Sequence, residues 1–476
     1  MTTRNTQNRA FNPVTDELTR ALGEAIGPDN VHDDTETLRS HASDETEDLV
    51  FSPEIVVVPR STDHVASVMK LAYEHGVPVT PRGAGTGLSG GALPVHGGIV
   101  LSTRGMNRIL EIDRNNLMAV VEPGVITQEL QEAVEAVGLF YPPDPASRGS
   151  CFLGGNLAEC SGGPRAVKYG VTKDYVLGIE AVLPTGEIIR HGGKLLKNVT
   201  GYNLTQLIVG SEGTLAIITR ITLRLIPLPP HRVMLLVPFE SLEASAGAVP
   251  AIMNAGIVPS VLEFLERDAI SITESHLDMT IPNSGAVAQL LIELDGTDES
   301  VIQRDAERVC EIVLAAGASD VLLADTGAKM NELWKMRRAI GEAVKSVSVY
   351  KEEDTVVPRY NLVPLLVGVK EIAARYGIRT VCYGHAGDGN LHVNILKMDM
   401  SDDEWESNLE PAIQEIFHHT VSLGGLISGE HGIGYVQKRY MPIAFTDSEL
   451  GIMRRIKAAF DPQGILNPGK IFPDTD

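Results

Sequence analysis

The stretch PRGAGTGLSGGALPVHGGIVLS, residues 81–102, decides how the first half of the chain is read. Within it Gly85-Thr86-Gly87-Leu88-Ser89-Gly90 has the spacing G-x-G-x-x-G, which in a nicotinamide-binding unit follows a strand and opens a helix over the pyrophosphate. The residues upstream fit that unit. EIVVVPRS (54–61) is a β-branched strand, TDHVASVMKLAYEHG (62–76) has helical spacing with a glycine stop, and VPVTPRG (77–83) is a second strand. The residues downstream do not fit. Ala92-Leu93-Pro94-Val95-His96-Gly97-Gly98 leads into the strand IVLS, and a proline with paired glycines cannot form the interior of the required helix. Glu111 lies near the distance of a ribose-binding acid, but one acid among 62 is expected there by chance. The loop also lacks the Lys-Ser/Thr ending of a triphosphate loop. What remains is either a plain turn or a run of bare backbone N–H groups able to surround an anion.

Two further segments share the pattern. CFLGGNLAECSGGPRAVKYGVTKDYVLGIEAVLPTGEII (151–189) runs from a Gly154-Gly155-Asn156 turn through a short polar helix and Gly162-Gly163 to a hairpin turning at Pro184-Thr185-Gly186. LIVGSEGTLAIITRITLRLIPLP (207–229) places a Gly-Ser-Glu-Gly loop before a strand of period two. Three such loops on β-branched strands suit a flat, polar, phosphorylated cofactor approached by backbone from several sides. Pro227, Pro229 and Pro230 then mark a domain boundary. Beyond it MLLVPF, SVLEFLE, AVAQLLIELDG and DVLLA read as strands and DESVIQRDAERVCEIVLAAG as a helix. That order is a split βαβ arrangement with helices on one face. DSELGIMRRIKAAFDP adds a late helix.

A chain of 476 residues is long enough for two or three domains, and 43% hydrophobic with 21% charged residues is ordinary globular composition. The net charge of −22 works against nucleic-acid backbones and anionic membranes, although a local pair of cations still admits a small anion. No apolar run reaches membrane-spanning length. MTTRNTQNRAFNPVTDELTRALG lacks the apolar core of a secretory signal and reads as a start before a helix. Cys151, Cys160, Cys310 and Cys382 form no C-x-x-C pair, which fits a reducing cytosol and no iron–sulfur cluster within the chain.

The second half carries the reactive side chains. In VCYGHAGDGNLHVNI (381–395), His385 precedes a tight hairpin, and His392 and Asn394 share one face of the return strand. GGLISGEHGIG (424–434) sets Glu430 and His431 between glycines. Two histidines and a carboxylate make a first shell for a divalent metal with open positions, though a single histidine is more often a satisfied core residue. KMNELWKMRRAIGEAVKS is a helix carrying Arg337, and YKEEDTVVP carries Lys351; each is by itself an ordinary surface cation.

These segments in this order, with GHAGDGNLH, SGEHGIG and ILNPGKI behind them, closely resemble the FAD-linked 2-hydroxy-acid dehydrogenases of the vanillyl-alcohol-oxidase fold, from about Pro53 to Phe472. That family includes the glycolate oxidase flavin subunit, D-lactate dehydrogenase and D-2-hydroxyglutarate dehydrogenase. The resemblance implies an α+β fold. A helical lead-in (1–50) precedes an FAD-binding domain of the vanillyl-alcohol-oxidase (PCMH) type (51–230). A ferredoxin-like substrate or cap domain (231–420) and a helical C-terminal segment returning to the FAD domain (421–476) follow. It implies FAD held by Pro81, Arg82, Gly83, Ala84, Gly85, Thr86, Gly87 and Gly90, by Pro145, Ser150, Gly154, Gly155, Asn156, Ser161 and Gly162, by Glu212, Gly213 and Ile217, and by Asn467. The first loop holds no His or Cys, so the flavin is expected to be non-covalent.

The same resemblance implies a divalent metal, zinc first with manganese or iron as alternatives, on His385, His392 and Glu430. It makes His431 the catalytic base and gives Arg337, Lys351 and Asn394 the substrate. Oxidising R–CH(OH)–COO⁻ requires loss of the hydroxyl proton and transfer of the α-hydrogen, and a metal and a neutral imidazole serve the first step. α-Proton abstraction giving a carbanion would use the same residues. Gly341 stands where the hydroxyglutarate-oxidising relatives place a Thr, which favours a short acid such as D-lactate or glycolate, with D-2-hydroxyglutarate as the alternative substrate. The expected acceptor is external: an iron–sulfur subunit, an electron-transfer flavoprotein, a cytochrome or a quinone. The enzyme is expected to be cytoplasmic or peripheral to the inner membrane through that acceptor, and to form a homodimer. Alternatives are an oxygen-using 2-hydroxy-acid oxidase, a metallohydrolase using the His/His/Glu cluster and a non-catalytic flavin subunit.

Overall fold

The computed structural model describes residues 11–474, so the reading of the first ten residues lies outside the described part. Three β-sheets of four or more strands organise the described residues. The first has the strand order Val31–His32, Ile55–Val57, Ile99–Ser102, Val79–Arg82, the last three parallel. Ile55, Val56 and Val57 are all buried, as expected of a parallel strand covered on both faces. Between two of these strands runs the helix Thr62–His75, capped by the Ser61 hydroxyl, which accepts from the His64 N–H, and ended by Gly76 at φ 66°. It buries Val65, Val68, Met69 and Ala72 in one core with Leu18, Leu22 and Ile26 of the helix Asp16–Ile26. The lead-in therefore belongs to the first sheet, where Val31 and His32 pair with Val57 and Val56. At the C-terminal end of Val79–Arg82 the glycine-rich loop begins, with no helix before Ile99. Loops in this position, outside the carboxyl ends of parallel strands, are where ligands bind open α/β sheets.

The second sheet is antiparallel, in the order Ile109–Asp113, Met118–Val121, Ile217–Arg224, Val176–Val182, Ile188–Gly192. Its last two strands form the hairpin around Pro184-Thr185-Gly186. One expectation is corrected here. Gly154, Gly155 and Asn156 do not make a turn but lie inside the helix Leu153–Glu159. A Cβ at Gly154 would stand 2.6 Å from the Pro123 side chain, so this glycine serves a close approach of helix to loop, not a bend.

The third sheet has seven antiparallel strands. Leu322–Ala324, His231–Phe239, Ala288–Gly296 and Val261–Glu266 lie side by side in the 4-1-3-2 order of a ferredoxin-like unit, followed by Arg379–His385, Asn390–Leu396 and Tyr350–Val356. The helices Leu242–Asn254 and Glu299–Ala315 cover one face, where Leu362–Tyr376 and Asp402–Ser422 share their core. The reading of helices on one face holds for the first two but is incomplete. Arg267–Leu277 and Gly327–Lys345 cover the other face with Ile270, Trp334 and Ile340. The sheet is buried on both sides, so an apolar strand such as SVLEFLE did not show by alternation which face each residue takes. The C-terminal segment returns to the first sheet, where the Val79 N–H donates to Ile465 O at 2.8 Å and the Asn467 N–H to Val79 O at 2.7 Å. Among the described residues no helix is long and apolar enough to cross a membrane.

Candidate active site

The antiparallel register places His385 and His392 on neighbouring strands, with His392 directly opposite Tyr383 on one side and Asp354 on the other. The loop carrying Glu430 closes over them. Glu430 Oε1 lies 3.1 Å from His385 Nε2 and 3.5 Å from His392 Nε2. The His431 ring stacks on His392 at 5.1 Å between centroids and 11° between planes. His385, His392 and Glu430 offer three donor atoms within 4.8 Å of one another. Burial alone would raise the Glu430 carboxyl, but the His385 and His392 imidazoles hold it at about 2. The same burial disfavours a charged His385, yet Glu263 and Glu430 raise it well above the usual imidazole range. This is a pocket that favours positive charge between ionised carboxylates.

Two buried carboxylates hold the cluster in shape. Asp354 Oδ2 accepts from the backbone N–H of Gly429 at 2.8 Å, Glu430 at 2.7 Å and His431 at 2.9 Å, and from the Ser428 hydroxyl at 3.1 Å. Its other oxygen accepts from Asn390 Nδ2 at 2.6 Å. Despite full burial, the charges of His431 and His392 and these bonds hold Asp354 well below the usual carboxylate range. Glu263 does the same between the strand and the helix. Its Oε1 lies 2.6 Å from His385 Nδ1 and its Oε2 accepts from Arg337 Nε at 2.6 Å.

Arg337 comes from the helix Gly327–Lys345, whose residues Trp334, Arg337, Arg338, Gly341, Glu342 and Lys345 recur at helical spacing and all line one cavity of about 540 Å³. The opposite wall is made of residues 81–88, Pro145, Ser150, Gly154, Gly155, Asn156, Ser161, Gly162, Gly213 and Ile217, and the floor of His385, His392, Glu430 and His431. A Cβ at Gly87 or Gly155 would meet nothing within 4 Å, so bare backbone faces open space in that wall. Gly85 has a different reason: at φ 78°, its Cβ would run into the Arg82 guanidinium, which lies beneath the loop and donates to Ser43 O at 2.8 Å.

Comparison with known proteins fits this arrangement. Residues 53–192 match the family described as FAD binding domain, and residues 228–471 the one described as FAD linked oxidases, C-terminal domain. The chain belongs to the FAD-linked oxidases. It is 43% identical over 462 residues to glycolate oxidase subunit GlcD of Bacillus subtilis, covering 96% of this chain and 97% of that protein. It is 39% identical over 470 residues to a D-lactate dehydrogenase of Anaerostipes hadrus, covering 97% and 98%. A crystal structure of p-cresol methylhydroxylase has the same fold, with a TM-score of 0.78 at 18% identity over 97% of this chain and 98% of that one.

The protein is thus an FAD-linked oxidoreductase. The open backbone at Gly87 and Gly155 and the slot between them fit that cofactor. Not every residue assigned from the sequence reaches the cavity. Gly90 packs behind the loop, its Cβ position 3.2 Å from Tyr435. Asn467 also sits behind the wall, its amide donating to Gly91 O at 3.1 Å and Glu212 O at 2.8 Å, so it ties two loops together. Glu212 touches the cavity but turns its carboxylate to the N–H groups of Ile433 at 2.9 Å and Gly434 at 2.6 Å, fastening the SGEHGIG loop. Lys351 is directed to Glu47 at 3.3 Å, and neither it nor buried Asn394 lines the cavity. Glu263, Asp354, Tyr383 and Arg338 were not singled out from the sequence. Glu263 alone left a mark there, a charge inside the apolar strand SVLEFLE.

Proposed function

We propose that this FAD-linked oxidoreductase oxidises a small D-2-hydroxy acid to the 2-oxo acid, with D-lactate or glycolate preferred. A divalent cation, zinc first, is assigned to His385, His392 and Glu430. One observation carries the reading: the glycine walls, the His/His/Glu donor set and Arg337 share one cavity. Bound FAD supplies the two-electron acceptor and the cation supplies Lewis acidity toward the substrate oxygens.

The remaining work falls to the chain. Arg337, held against Glu263 and stacked on Tyr383 at 5.1 Å, presents its guanidinium edge to the substrate carboxylate. An imidazole nitrogen of His431 takes the hydroxyl proton. Burial alone would lower His431, but Asp354, then Glu352 and Glu430, raise it, so the imidazolium formed in that step is stabilised. Gly341 leaves the wall beside Tyr383 without a side chain to meet a second carboxylate, which supports a short acid. The loop 81–90 holds no His or Cys, which supports a non-covalent flavin. Four free, scattered cysteines support an external electron acceptor.

Anaerobic mixing of the zinc-loaded yellow protein with D- and L-lactate, glycolate and D-2-hydroxyglutarate tests the proposal. Bleaching of the flavin band by D-lactate or glycolate, and not by L-lactate, is expected. A colourless protein, or a flavin that no 2-hydroxy acid bleaches, refutes it.

A further inference from the structure

We propose that Glu263 is a positioning residue that couples the cation site to the anion site, one carboxylate setting His385 and Arg337 at once. The inference rests on the assignment of those two residues under the proposed function.

Glu263 is wholly buried, on the strand Val261–Glu266. The pair Phe264↔Gly384 in the neighbouring ladder brings it beside His385, and the helix Gly327–Lys345 lowers Arg337 onto it from the other side. A carboxylate only accepts hydrogen bonds. With Oε1 at 2.6 Å from His385 Nδ1, that nitrogen carries a proton, which leaves Nε2, 3.1 Å from Glu430 Oε1, as the nitrogen facing the space a cation would take. Carboxylate–histidine pairs of this kind fix ring and tautomer in metal sites. Oε2 meanwhile holds Arg337 through Nε at 2.6 Å and Nη2 at 2.5 Å, which leaves Nη1 as the free edge of the fork.

Two donor side chains thus converge on one residue and need two acceptors. Glutamine would offer one acceptor and one donor, so a Gln at this position must abandon either His385 or Arg337. Docking of the helix does not depend on this contact alone. Trp334 Nε1 donates to Glu293 at 3.1 Å, and Met330, Ile340 and Val344 are buried beneath it. Loss of Glu263 should therefore misdirect two side chains and leave the helix in place.

The experiment uses the FAD-bound protein and its Glu263→Gln, Glu263→Asp and Arg337→Met variants, with three readouts. The first is the tautomer of the neutral His385 ring, by nitrogen-15 histidine NMR without metal at a pH above the titration of the imidazolium. The second is zinc(II) affinity by chelator competition, and the third is pyruvate affinity by flavin perturbation. In the parent, His385 is expected as the Nδ1–H form. In Glu263→Gln that form should lose its dominance, zinc should bind ~10–100-fold more weakly, and pyruvate ~10-fold more weakly. Arg337→Met should lose pyruvate while keeping zinc, and adding Glu263→Gln to it should weaken zinc with no further change for pyruvate. Glu263→Asp, which keeps both acceptors, should restore the Nδ1–H signal.

A Glu263→Gln protein with the parent's tautomer, or with either affinity unchanged, overturns the coupling. If that variant does not fold, Glu263→Asp decides: zinc and pyruvate should weaken together and by less, and a change in only one overturns the coupling. A parent that binds no zinc would overturn the cation assignment instead, while the tautomer and pyruvate readouts still decide the role of Glu263.

Discussion

The two walls of the cavity are built on opposite principles. The wall from residues 81–163 presents mostly backbone, glycine and small side chains, with Arg82, Asp144 and Glu159 its basic and acidic ones, and Gly87 and Gly155 are bare where a side chain would fill the slot. The wall and floor from residues 334–431 present two arginines, three imidazoles and the Glu430 carboxylate, with Arg337 and His385 held by Glu263 and the backbone of Glu430 and His431 by Asp354. Backbone N–H groups bind without a desolvated charge and tolerate change in the residues around them. Buried side-chain charges act on a substrate more strongly, but only while their partners are intact. Substitutions on the first wall should change whether cofactor is held, and those on the second whether it is reduced.

The largest effect is expected from His431→Ala. Flavin reduction in stopped flow should slow by ~10²–10⁴-fold, the usual worth of a general base, with FAD still bound. Loss of the flavin instead would erase the distinction between the walls. Asp354→Asn comes next. It leaves the N–H groups of Gly429, Glu430 and His431 around an uncharged oxygen, and the protein should lose about 3 kcal/mol in denaturant titrations while its FAD affinity stays near that of the parent.

On the other wall, Gly87→Val should weaken FAD ~10-fold or more by filling the slot, while the apo-protein melts within a degree or two of the parent. Gly163→Ala sharpens the contrast, because at φ 124° its Cβ would meet Asp144 O at 2.3 Å; it should destabilise the apo-protein itself by about 1–2 kcal/mol.

The smallest effect concerns Lys470, which burial lowers to about 7 while Asp44 and Glu212 act to raise it. In the unfolded chain a lysine titrates near ~10.4, so between these values the unfolded state binds the extra proton and stability rises with pH. Stability from this group is lost as pH falls toward 7, with a slope of at most about 1.4 kcal/mol per pH unit. Lys470→Met should flatten the melting temperature against pH between 7 and 9, and an unchanged slope would show that Lys470 is charged throughout.

How much was legible in advance differs between the walls in the same way. Pro94 with Gly97 and Gly98 ruled out the nicotinamide helix from the sequence, and the strand does run into a loop. The hairpin histidines and the Glu430-His431 pair were visible as motifs because each sits in a short glycine-flanked stretch. Lys351 was not distinguishable from Arg337 by residue type, and only the fold directs one to Glu47 and the other to Glu263. Asp354 stood among three consecutive acids, and nothing in KEED says which one a loop some seventy residues away will cap.

Local chemistry therefore settled what this chain carries: glycines where a cofactor needs bare backbone, strand periodicity that puts His392 and Asn394 on one face, imidazoles beside a carboxylate. Which of these groups meet was decided only by strand pairing and helix docking. Glu263, His385 and Arg337 are 122 and 74 residues apart. A buried ion pair depends on geometry to within a fraction of an ångström and on exclusion of water, and neither is a property of any stretch of sequence by itself.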